Sequence, residues 1–252
     1  MAICGLCLRE VDALRMSHIY PKWTFRRMKA ADGRIYRYST QAGIQEVRIQ
    51  DGPKEPMLCA ECEVRLSVWE GAMAKAINSD GVFEDLKPEN GALSVFRHLE
   101  YGPTRLYLLS LLYRADIAKH AFFAQVNLGP IHRERIRLLL VSGDPGPPER
   151  YGCIVAVPQL SGEDGTIERP QVSVSPDTVR FDGEVGLRIV RMYIDGVFLN
   201  FVVGSEECME RYCGTPAFIQ PDGRIAVGVG DALDVGFIRD SLGATVAMQS
   251  DR

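Results

Sequence analysis

Polar and apolar positions follow two rhythms along this chain, and the rhythm changes near residue 150. In the first part, Arg34-Ile35-Tyr36-Arg37-Tyr38-Ser39 and Glu46-Val47-Arg48-Ile49-Gln50 alternate polar and apolar side chains, the two-residue period of a half-buried strand. Asp32-Gly33 predicts a turn between Trp23–Met28, whose Trp23 and Phe25 alternate like a strand face, and the first of these runs. Asp51-Gly52-Pro53 halts the second. After Cys59 the period lengthens, and Trp69, Ala72, Met73, Ala76 and Ile77 fall on one helical face. Gly81, Pro88, Gly91 and Gly102 punctuate a linker with a short helix. Pro103 suits the first turn of a helix running to about Val126, with Leu106, Leu109, Leu112, Tyr113 and Ile117 as the hub of the core. Gly129-Pro130 opens another helix over Ile131–Val141, and the Gly- and Pro-rich stretch 143–148 reads as a joint.

From Tyr151 onward strand patterns dominate. Cys153–Val157 is an apolar run suited to a buried strand. Leu187–Ile194 and Val197–Val203 flank Asp195-Gly196, the strongest short signal for a β-hairpin. Ile225–Val229 predicts one more strand and Asp231–Leu242 a closing helix. These patterns predict an α+β protein in three segments: a module over residues 1–78, a helical region over 79–142, and a mostly antiparallel β domain over 150–252.

The chain has 252 residues, 46% hydrophobic and 25% charged, enough for one sizeable core and a small module beside it. Its longest apolar run, Leu106–Tyr113, is far short of the ~20 residues that cross a bilayer. The N-terminus lacks the basic-then-apolar order of a secretory signal, so no membrane association is expected. Seven cysteines, an odd number, argue for a reducing compartment, and the expected location is cytoplasmic. The net charge of −4 is unevenly spread: residues 1–54 and 97–137 are basic, while 55–96 and 138–252 are acidic. A local basic face can attract phosphate even on an acidic protein, although solvated helices and hairpins give the same pattern.

Cysteine spacing supplies the chemistry. Cys4 and Cys7, then Cys59 and Cys62, form two Cys-x-x-Cys pairs, which together make the tetrahedral thiolate set that Zn²⁺ accepts. Four thiolates close the coordination sphere, so such a zinc holds the fold and does not activate water. Fifty-one residues separate the pairs, against roughly 15–20 in a simple zinc ribbon, leaving room for a hairpin between them. Cys59 and Cys62 would open the helix, where the positive end of its dipole favours thiolates. Cys153, Cys208 and Cys213 lack metal spacing. His98, His120 and His132 are isolated, the last within a basic helix. Lys22-Trp23-Thr24-Phe25-Arg26-Arg27-Met28-Lys29 interleaves aromatic and basic side chains, as single-stranded nucleic-acid binders do.

The order Cys-x-x-Cys, Ser17-His18-Ile19-Tyr20-Pro21, then Leu-Cys-x-x-Cys resembles the zinc-stapled HNH endonucleases with a ββα-metal core, over about residues 3–70. SHIYPKW, IQDGPKEPMLCAECE, LLSLLYRADI and LGPIHRERIR look like a group of bacterial proteins carrying a divergent HNH-like module. The resemblance implies a treble-clef-like zinc module in which His18 is the general base and Ser17 stands at the metal position. It also implies that Glu63 takes the place of the last histidine, sharing a catalytic Mg²⁺ or Mn²⁺. No asparagine lies between His18 and Cys62, so the middle letter of the pattern is missing, with Gln50 as a substitute for it. The function so implied is metal-dependent hydrolysis of nucleic acid, DNA above RNA, in bacterial defence, with Lys22, Arg26, Arg27 and Lys29 on the backbone phosphates. Two other readings stand beside it. His18 can instead brace the zinc knuckle in an inactive module that binds nucleic acid or a protein partner, a second copy included. The C-terminal β domain can also serve as a sensor that regulates the first.

Overall fold

The computed structural model describes residues 1–26, 35–38, 47–49, 51–77, 93–97, 99–161, 167–168, 173–180, 187–211 and 213–231. Ala2–Ile3 (β1) and Glu10–Val11 (β2) pair antiparallel around the first cysteine pair. Arg15–His18 (β3) follows, and the chain then tightens into a 3₁₀ turn over Lys22–Phe25, where the alternation of Trp23 and Phe25 predicts a strand. Thr24 explains the difference. Its Oγ1 donates to the Pro21 carbonyl at 2.7 Å, a local bond that competes with strand pairing. Phe25 is buried, and Trp23 lies against Tyr107 with ring centroids 6.2 Å apart. The predicted turn at Asp32-Gly33 lies outside the described residues.

Ile35–Tyr38 (β4) and Val47–Ile49 (β5) pair antiparallel, as their alternation predicts. Lys54–Leu58 (β6) returns alongside β3, setting His18 opposite Lys54 and Ser17 opposite Glu55. Ala60–Ile77 (α1) begins directly after Cys59. Leu93–Phe96 (β7) is a strand within the stretch read as a linker with a short helix.

Tyr101–Ile117 (α2) is the centre of the protein, buried at every position from Thr104 to Asp116. A helix with apolar residues on all sides is stable only when covered on all sides. α1 and Gly129–Ser142 (α3) both pack on it. α2 stops at Ile117 rather than near Val126, because the next residues do other work. His120 accepts the Phe122 N–H at 3.1 Å and caps a 3₁₀ turn, Ala121–Phe123. That turn drives Phe122 and Phe123 edge-on into Tyr20, at 6.4 and 5.0 Å. α3 ends at Gly143, whose φ of +72° is the left-handed cap that glycine adopts without strain.

The remaining elements are Cys153–Ser161 (β8), Ile167–Glu168 (β9), Ser173–Arg180 (β10), Arg188–Ile194 (β11), Val197–Val203 (β12), the short helix Glu206–Glu210 (α4) and Ile225–Asp231 (β13). Together with earlier strands they form a sheet of order β5-β4-β10-β11-β12-β8-β13-β7, with β9 beside β8. Its described pairings are antiparallel except β4 with β10 and β8 with β13. The fold is α+β with a mostly antiparallel C-terminal sheet. The sheet takes strands from all three segments distinguished in the sequence, through β4 and β5 on one side and β7 on the other. Asp195 (φ +53°) and Gly196 (φ +74°) make the two-residue turn between β11 and β12, and Ile194 pairs with Val197 across it. Asp231 ends β13, and the rest of the predicted closing helix lies outside the described residues.

One apolar core runs from Cys4 and Leu58 through α2 to Phe201 and Val227. A smaller cluster of Leu187, Val202, Cys208, Met209 and Phe218 covers the other face of the hairpin. The joint after α3 is held from inside: buried Arg105 donates to the carbonyls of Pro145, Pro147, Arg150 and Tyr151 at 2.6–3.4 Å. Among the described residues no helix is long and apolar enough to cross a membrane.

Candidate metal centre and its surroundings

Cys4 and Cys7 sit in a tight knuckle. The Cys4 N–H donates to Arg9 O at 3.0 Å, and the Leu8 N–H returns to Cys4 O at 3.0 Å. Leu8 takes φ +59°, a left-handed value unusual for leucine, which closes the turn. The Gly5 N–H donates to Met57 O at 2.9 Å, so β6 fastens the knuckle beside the second cysteine pair. Cys59 then follows β6 directly, and Cys62 lies in the first turn of α1. The four Sγ atoms lie within 4.8 Å of one another. A tetrahedron with metal–sulfur bonds of ~2.3 Å has edges of ~3.8 Å, and Cys7 Sγ and Cys59 Sγ are 3.8 Å apart. The donor set, its spacing and its burial all fit one thiophilic ion.

The thiols themselves favour a cation. Burial pushes Cys4 and Cys62 up, and for Cys62 the neighbouring sulfurs add to it. Burial also acts on Cys7, but the Arg9 guanidinium, with Nε 3.4 Å from its sulfur, overrides this and brings the thiol down to about 6. Sulfurs packed this closely resist joint ionisation unless positive charge sits among them. The Cys59 N–H donates to Cys4 Sγ at 3.2 Å, an amide–sulfur bond that steadies a thiolate ligand. Longer-range clamps hold the knuckle in place: Tyr113 OH donates to Gly5 O and Arg137 Nη1 to Leu6 O at 3.0 Å.

No family model, curated protein or solved structure matches the chain.

The other predicted site residues divide between two places. Ser17 is fully buried and its hydroxyl donates to Glu63 Oε1. His18, the next residue on β3, places Nε2 3.0 Å from Asp51 Oδ2. Successive strand residues point to opposite faces, so Glu63 serves the α1 side of β3 while His18 works at the other. Asp51 is a residue that sequence reading treated only as part of a turn. Its Oδ2 also receives Lys54 Nζ at 3.1 Å, and its Oδ1 the Gly52 N–H at 2.9 Å. Partial burial raises the carboxyl pKa, but bonds from His18 and Lys54 outweigh it and hold Asp51 down to about 2. A carboxylate only accepts, so the imidazole donates through Nε2, and Nδ1 is its other nitrogen. The strand behind is fixed by Arg114, which donates to His18 O at 2.7 Å and pairs with Glu70 at 2.7 Å.

Lys22 and Arg26 are exposed on the turn after His18. Arg27 and Lys29 lie outside the described residues, as do Gln50 and His98. His132 meets the Tyr151 hydroxyl at 3.2 Å, and burial lowers its pKa. Cys153 and Cys208 are buried and Cys213 is exposed, none of them in the metal cluster. For a catalytic Mg²⁺ or Mn²⁺, β3 keeps His18 and Glu63 on opposite faces and does not bring them together as one site. Outside the four cysteines, the described residues gather no set of three His, Cys, Asp or Glu ligands, and Glu63 is already engaged by Ser17.

Proposed function

We propose that the four-cysteine cluster holds one structural Zn²⁺, and that the unit around it is an HNH-like module that cleaves the phosphodiester backbone of nucleic acid. In this reading His18 is the general base and Asp51 fixes its tautomer and orientation. The observation that carries it is the His18–Asp51 bond. A half-buried imidazole is held through one nitrogen by a carboxylate, the base-and-orienter pairing of hydrolytic sites. Lys54 brings positive charge beside it through the shared Asp51, and Lys22 and Arg26 are exposed on the turn that follows β3, charge suited to phosphates. In this reading β3, β6 and α1 would take the part of the two strands and helix of the HNH-like arrangement, and zinc suits four thiolates better than a hard cation would.

The test is digestion of single- and double-stranded DNA and RNA by the purified protein, with Mg²⁺, with Mn²⁺ and without either, compared with His18→Ala. Cleavage that disappears in a His18→Ala protein with full zinc content supports the reading. A second reading, a binding module without catalysis, is favoured by the Ser17–Glu63 bond, which ties up the carboxylate expected to hold a catalytic cation. It predicts salt-dependent binding that weakens in Lys22→Ala and Arg26→Ala, with all substrates left intact and His18→Ala without effect.

A further inference from the structure

The misfit between this site and a hard divalent cation points to a different chemistry for the same residues. Glu63, the carboxylate placed to share such a cation, is turned to the buried Ser17 on the far face of β3. Beside His18 lies an ammonium group instead. Lys54 is the register partner of His18 on β6, and both nitrogens bond to one oxygen, Asp51 Oδ2, at 3.0 and 3.1 Å. Asp51 accepts from three N–H donors. It therefore positions its neighbours and takes no proton itself. The cluster presents one base, His18 Nδ1, and one compact cation that also carries a transferable proton.

Such a pair lacks the metal-bound hydroxide that cleaves DNA, whose backbone has no nucleophile of its own. RNA carries one at every nucleotide, the 2′-hydroxyl. We propose that the His18–Asp51–Lys54 cluster cleaves RNA by transesterification, with no divalent metal at the reacting phosphate. This rests on the reading that His18 acts on nucleic acid backbones, and narrows it to a substrate class and a reaction.

The step balances within the site. His18 Nδ1 takes the 2′-hydroxyl proton, and the 2′-oxygen forms a bond to phosphorus. The bond from phosphorus to the 5′-oxygen breaks, and that oxygen takes a proton from the Lys54 ammonium. The products are a 2′,3′-cyclic phosphate and a free 5′-hydroxyl. Solvent carries the proton on His18 back to Lys54, and nothing is oxidised or reduced. Lys54 also faces the charge that builds on the phosphoryl oxygens, the role a metal fills elsewhere. Asp51 acts through the other two groups and is a positioning residue.

The test uses full-length, zinc-loaded protein in buffer without Mg²⁺ or Mn²⁺, with zinc retention checked by elemental analysis. The substrates are an RNA oligonucleotide, the same sequence as DNA, the RNA with 2′-O-methyl groups, and a DNA strand carrying one ribonucleotide. Expected are cleavage of the RNA, intact DNA and 2′-O-methyl strands, and a single cut 3′ to the lone ribonucleotide leaving a 2′,3′-cyclic phosphate. His18→Gln and Lys54→Gln should each lower the rate by at least ~100-fold, the scale of one acid–base catalyst, with zinc content and circular dichroism unchanged. Asp51→Asn should lower it less and shift its pH profile, which loss of packing alone would not do. The 2′-O-methyl strand keeps the test decisive if a variant misfolds, because there only the substrate changes. Cleavage of DNA, or cleavage that needs Mg²⁺ or Mn²⁺, overturns this inference and leaves the proposed function standing. No cleavage of any strand under any condition overturns both.

Discussion

The pair Glu70–Arg114 offers the sharpest test of how the helical centre supports the site. The Arg114 side chain is 4% exposed, and its Nη1 reaches both Glu70 Oε1 and the His18 carbonyl at 2.7 Å. Glu70→Met removes the counter-charge and leaves a guanidinium that cannot reach water. A buried charge stripped of its partner costs ~3–5 kcal/mol, and at ~2–4 °C per kcal/mol for a protein of this size the melting temperature should fall by ~6–20 °C. Arg114→Met should cost less on the charge side, because Glu70 is 22% exposed and can turn to solvent. It does leave the His18 carbonyl short of a donor, at ~1–3 kcal/mol. The double variant should be distinctly more stable than the sum of the single effects, since it buries no orphan charge. Urea titrations of all four proteins, followed by both fluorescence and circular dichroism to check two-state behaviour, measure the cycle. A Glu70→Met protein within ~1 kcal/mol of the parent, or fully additive effects, would refute the view that a buried ion pair secures β3 to α2.

Further outcomes follow from the geometry. Purified protein should carry one zinc per chain. Cys59→Ser should lose it and open residues 1–26 and 51–77 to proteolysis before the sheet, whereas a protein without zinc and with freely alkylated cysteines would exclude the staple. Asp51 is depressed in the fold, so its stabilising contribution is fully present above its unfolded pKa of ~3.9 and fades as pH falls through about 2. The stability gap between the parent and Asp51→Asn should therefore close across that window, and a gap constant from pH 6 to pH 2 would contradict the assignment. Gly223 holds φ +79°, and a Cβ there would run into the Leu99 carbonyl. Gly223→Ala should destabilise by more than ~1 kcal/mol, as read from its melting curve.

What the sequence disclosed was local, and what it withheld was not. Each Cys-x-x-Cys pair is a short-range signature, and their meeting follows once a strand leads into a helix at Cys59. The β11–β12 hairpin was legible because Asp195-Gly196 fits a turn with positive φ at both residues. Alternation likewise disclosed β4 and β5 as strands, but not that β4 runs parallel to β10, which is set by packing. Asp51 looked like a turn residue, and nothing near it in sequence marks it as the partner of His18, 33 positions away. Its only signal was an acidic residue just before the strand that returns to β3. Ser17 and Glu63 were both singled out, yet their bond depends on which face of β3 meets α1. The end of α2 was misplaced because Ala118–Val126 keeps a helical pattern, while Phe122 and Phe123 gain more by packing on Tyr20.

The knuckle at Cys4–Cys7 also sets a timetable for assembly. Its cysteines leave the ribosome more than fifty residues ahead of their partners, and the clamps from Tyr113 and Arg137 follow later still. A metal ion on the four sulfurs would therefore close the first loop while α2 is still being made, giving the nascent chain a fixed point against which the central helix condenses. β4 and β5 belong to that early loop, yet their neighbour β10 begins at Ser173. During synthesis they would wait as an unpaired edge, the surface most open to wrong partners. An early metal staple would shorten the reach of that waiting segment, so metal supply during translation should govern how much of this protein reaches its native state.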